Sequence, residues 1–200
     1  MTSVSASELA EVLWADTLDR PRAHFLQALG DRVGTARLER ELLLFRVSVV
    51  DFHLMGTRSF PAFRSEQTTA TFFQYMGHLK AHVLRQGWGD DRFLAELEER
   101  SAAYASSIEL WNSGHEAEKK GGQRPPETMM PVQETFARFC GTGPLGITDS
   151  VTIAEEWWGF QAAVVHLLGQ SQIRCSAEEI KEVRSLYEKN RFDGSDGPIR

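Results

Sequence analysis

Apolar residues recur at helical spacing along almost the whole chain from Ser5 to Arg191. Between 36 and 56, Leu38, Leu42, Phe45, Val49 and Phe52 fall on one face at about 100° per residue. Leu43, Val47, Val50 and Leu54 cover the opposite face, so this helix is expected to be buried on both sides. Between 151 and 173, Ile153, Trp157, Phe160, Val164 and Leu167 form one stripe, while Trp158 and Val165 point elsewhere. Adjacent tryptophans cannot share a helix face. Trp158 is therefore expected either under another helix or offered to a partner.

Start and stop signals divide the pattern. Ser5-x-x-Glu8, Thr152-x-x-Glu155 and Ser176-x-x-Glu179 read as capping boxes, in which a hydroxyl accepts a free backbone N–H and a carboxylate reaches back. Gly30, Gly56, Gly87, Gly121 and Gly141 read as helix stops. Helices are predicted near 6–18, 22–30, 36–56, 66–86, 91–118, 131–140, 151–173 and 177–190. The expected architecture is all-α. It is a single-domain compact bundle of about seven or eight helices over 1–191, without a sheet, with an exposed Gly/Pro-rich loop at 121–131 and a flexible tail at 192–200.

Composition narrows the classes of function. The 200 residues carry a net charge of −6, with both signs spread along the chain. No basic stripe exists to meet a phosphate backbone, so nucleic acid is not an expected partner. No apolar run approaches the roughly 20 residues of a membrane span, and the first residues lack the charged start of a signal peptide. Cys140 and Cys175 stand apart without a Cys-x-x-Cys pair, which suits a reducing compartment. The expectation is a cytoplasmic protein without membrane partners.

Three constellations are candidates for chemistry. Arg46 and His53, seven residues apart, project from nearly the same side of an apolar helix and form a candidate ligand-binding surface. The plainer reading is an ion pair between helices, with Glu155, Glu156 or Glu39 as the partner of Arg46. His78 and His82, one turn apart, are candidate ligands of a divalent metal, with Glu98 or Glu99 of the following helix supplying a carboxylate. Both histidines lie at the edge of the stripe Phe72, Met76, Leu79 and Val83, where polar residues are expected in any case. Gly141-x-Gly143-x-x-Gly146 matches a dinucleotide fingerprint in letters only, because a helix and not a strand precedes it.

No nucleophile elbow, Glu-x-x-His or His-Glu-x-x-His motif occurs. The leading expectation is a non-enzymatic helical interaction or regulatory module that contacts a protein partner or a second copy of itself, with no cofactor. Its expected interface is Trp158, Ala162, Val165 and Gly169. The alternative is a metal-dependent or small-molecule-binding helical enzyme built on His78 and His82 or on the Arg46 and His53 surface.

Overall fold

The computed structural model describes residues 1–55, 65–143 and 145–192, and for 90–91 and 186–192 the backbone alone. Gly56, Pro144 and residues 193–200 lie outside the described residues. The described residues form α1 (Ala6–Asp19), α2 (Ala23–Val33), α3 (Thr35–Met55), α4 (Glu66–Arg85), α5 (Asp90–Lys119), α6 (Pro131–Cys140), α7 (Ile147–Gln170) and α8 (Ala177–Phe192). Helix α3 is the axis of the fold, and α1, α2, α4, α5, α6 and α7 all pack against it. Its chain from Glu41 to Val50 is buried without a break, as apolarity on both sides requires.

One core holds Leu42, Phe45, Val49, Leu79, Trp157, Phe160 and Val164, with Phe52, Phe72 and Met76 packed at its margin. A smaller cluster of Ala6, Ala70 and Val183 seats α8 against α1 and α4. Among the described residues, no helix is long and apolar enough to cross a membrane.

The expectation of no sheet requires correction. β1 (Thr2–Ser5) and β2 (Ser171–Arg174) form a parallel pair, in register from Thr2 with Ser171 to Ser5 with Arg174. The helix predicted over 151–173 therefore ends at Gln170, where Ser171 takes an extended conformation. Four residues are too few for a period of two to stand out, and a parallel pair carries no hairpin turn to betray it.

Two caps follow the expected chemistry, because Ser5 and Glu8 close on each other and Ser176 and Glu179 do the same. The third does not. α7 begins five residues before Thr152, where the Asp149 carboxylate accepts the Gly146 N–H at 3.1 Å. Thr152 instead donates its hydroxyl to the Thr148 carbonyl within the helix. Gly30 lies inside α2, and the residue with positive φ that follows this helix is Gly34.

The loop at 121–131 is also more ordered than its prolines suggest. It holds a 3-10 turn at Pro126–Thr128 and lays Thr128 against α5, where a Cβ built on Gly114 would come within 2.5 Å of the threonine Cβ.

Candidate functional site

α7 turns two faces in opposite senses. Trp157, Phe160 and Val164 enter the core, while Ile147, Val151, Trp158, Ala162, Val165 and Gly169 are exposed. With half-buried Ala154, these outer residues fall within about 80° of arc at 100° per residue. Their spacing is 4-3-4 repeated over eleven residues, the period that keeps a stripe nearly parallel to its helix axis. Trp158 is 56% exposed, high for a side chain of its size.

Trp158 forms one side of a tryptophan cluster. Trp111 of α5 meets Trp157 edge-on at 5.2 Å between centroids and 89° between planes, and meets Trp158 at 6.0 Å and 67°. The three indoles, with Gln161, Ala162 and Val165, line a groove of about 310 Å³. The Trp157 indole nitrogen and the Gln161 carbonyl oxygen are both buried without a hydrogen-bond partner. Three of the four predicted interface residues thus share one groove, and Gly169 lies one turn beyond Val165 along the stripe.

Arg46 and His53 are not joined in one site. Arg46, 1% exposed, donates Nε to Glu156 Oε1 at 2.8 Å and Nη1 to the Thr17 carbonyl oxygen at 2.8 Å, so Glu156 is the partner among the three carboxylates considered. His53 lies two turns further along α3, edge-on to Phe52 at 5.2 Å. Burial holds its imidazole down at about 4.

His78 and His82 share Trp14 of α1. His78 stacks on the indole at 6.4 Å and 11°, and His82 meets it edge-on at 5.6 Å. Glu98 faces a different groove, lined by Asp51, Phe72 and Met76. Among the described residues, no three His, Cys, Asp or Glu side chains stand together in an arrangement that could hold a metal ion.

A larger groove of about 1140 Å³ runs between α1, α3, α4 and α5, and it brings together Arg46 and His82, which belonged to separate candidate pairs. Glu41 lies at this groove, 3% exposed, and accepts the Tyr104 hydroxyl at 2.7 Å and Arg100 Nε at 3.3 Å. Burial pushes the Glu41 carboxyl up against the opposing pull of these two donors. Sequence reasoning did not single out Glu41, Arg100 or Arg40, because their common signal is a position on two helices whose pairing no local pattern reveals.

Comparison of the chain with protein-family models, with curated proteins and with solved structures returns no match.

Proposed function

We propose that this protein is a non-enzymatic helical interaction module whose contact surface is the outer stripe of α7, and that the stripe pairs with the same stripe of a second copy. The observation that carries this reading is the order of large and small residues. An antiparallel two-fold centred between Ala163 and Val164 sets Trp158 opposite Gly169 and Ala162 opposite Val165. A Cβ built on Gly169 meets nothing within 4 Å, so the space over it is open to receive an indole. An exposed aromatic anchor with small residues beside it is the usual centre of such an interface. The two unpaired cysteines support a cytoplasmic setting, and the reading invokes no cofactor.

Mass by light scattering tests it. The wild-type chain is expected to run as a dimer, and Trp158→Ala to weaken association by about 2 kcal/mol or more, roughly thirtyfold. Gly169→Leu, whose added side chain enters open space in a single copy, is expected to leave the fold intact and abolish the dimer. A monomeric wild-type chain would overturn the reading, and a Gly169→Leu dimer would overturn this register.

A further inference from the structure

Arginines outnumber carboxylates along the wall of the large groove between α1, α3, α4 and α5, while Glu156 and Glu99 pair with Arg46 and Arg100 from outside that wall. Arg22, Arg37, Arg40, Arg46, Arg92 and Arg100 line it, against the carboxylates of Asp19, Glu39, Glu41 and Glu96, in a chain whose net charge is −6. One of those carboxylates, Glu41, is buried, and burial raises its proton affinity against the opposing pull of Tyr104 and Arg100. Arg40 and Arg92 both bond Glu96, so two cations share one anion. Arg37 bonds a neutral acceptor, the Phe139 carbonyl oxygen, at 2.9 Å. Arg46 keeps its buried Nη2 without a hydrogen-bond partner.

Two of these guanidinium groups are held against aromatic rings. Arg40 lies over the Trp88 ring at 4.8 Å and Arg100 over the Phe139 ring at 4.0 Å. Fixed, planar donors suit bidentate recognition of carboxylate or phosphate, because little side-chain entropy remains to be lost on binding. The charge is also felt nearby, since burial, followed by the positive charges of Arg85 and Arg22, holds the His82 imidazole below its usual range.

We propose that this groove is a binding site for a small organic polyanion, a molecule carrying at least two phosphate or carboxylate groups. Its volume admits a ligand of ordinary metabolite size. The site is independent of the α7 stripe, which lies on other residues.

Calorimetry and thermal melting with inorganic pyrophosphate and with citrate test the proposal on the full chain. At least one probe is expected to bind and to raise the melting temperature, with affinity falling as salt rises. Pyrophosphate alone would assign the site to phosphates, and citrate alone to carboxylates. Arg37→Gln is expected to weaken binding about tenfold. Glu96→Gln, which releases Arg40 and Arg92 from their shared anion, is expected to tighten it severalfold. Damage to the fold cannot produce that gain. Failure of both probes to bind, or equal affinity in wild type and Glu96→Gln, would overturn the proposal.

Discussion

Arg46 of α3 and Glu156 of α7 meet through Nε and Oε1 at 2.8 Å, and the same guanidinium holds the Thr17 carbonyl of α1, so one buried cation ties three helices together. Removing one partner of a buried pair costs more than removing both, because the survivor stays charged away from water. Glu156→Leu is therefore expected to lower stability by about 3–5 kcal/mol. The double change Arg46→Leu with Glu156→Leu should recover part of that loss. Urea midpoints measure both, and an unchanged midpoint in the single variant would contradict the role assigned to the pair.

His53 gives the fold a defined acid sensitivity. Its folded value of about 4 lies below the ordinary 6.5, so the unfolded chain takes up the proton first as pH falls. Stability from this group is fully present above pH 6.5 and declines from there towards pH 4. The loss is expected to reach about 1–2 kcal/mol by pH 5. His53→Phe should flatten the pH dependence of the denaturant midpoint over this window. A variant as acid-sensitive as wild type would assign the effect to other groups.

Gly114 is a packing glycine. A Cβ there would run into Thr128, which is buried and donates its hydroxyl to the Pro125 carbonyl oxygen. Gly114→Ala is expected to destabilise by about 1–3 kcal/mol despite the higher helix propensity of alanine. Limited proteolysis should then cut within 121–131 faster than in wild type. Stabilisation by this change would show that the turn yields freely.

Zinc tests the remaining metal reading. A site made of His78, His82 and Glu98 needs all three donors within about 2.0–2.3 Å of one ion, and Glu98 lies on a separate groove from the histidines. Added zinc is expected to shift the melting temperature of wild type and of His78→Ala equally. A rise that His78→Ala loses would restore the metal reading.

The core was legible because it is written in side-chain period. Leu42, Phe45, Val49, Trp157 and Phe160 were placed by a 3.6-residue repeat that any buried helix must keep. The outer face of α7 was legible for the same reason, since Trp158 and Val165 break the inner stripe. What stayed hidden depends on pairings between distant segments. The strand pair joins residues 2–5 to 171–174, the Glu41, Tyr104 and Arg100 cluster spans α3 and α5, and the arginine groove is assembled from five helices. Gly114 shows the limit most plainly, because within its own helix it is only a weak helix former. Its reason is a threonine supplied by the following loop.

The strand pair also sets an order of events. Among the described residues, β1 and its partner β2 are separated along the chain by seven helices, α1 to α7. Contacts between such distant segments close late in folding, since the intervening chain must be ordered before they form. β2 starts two residues beyond Gly169, so the end of the α7 stripe is anchored only when that late contact closes. Pairing of two chains through that stripe would then depend on whether residues 2–5 and 171–174 have already met.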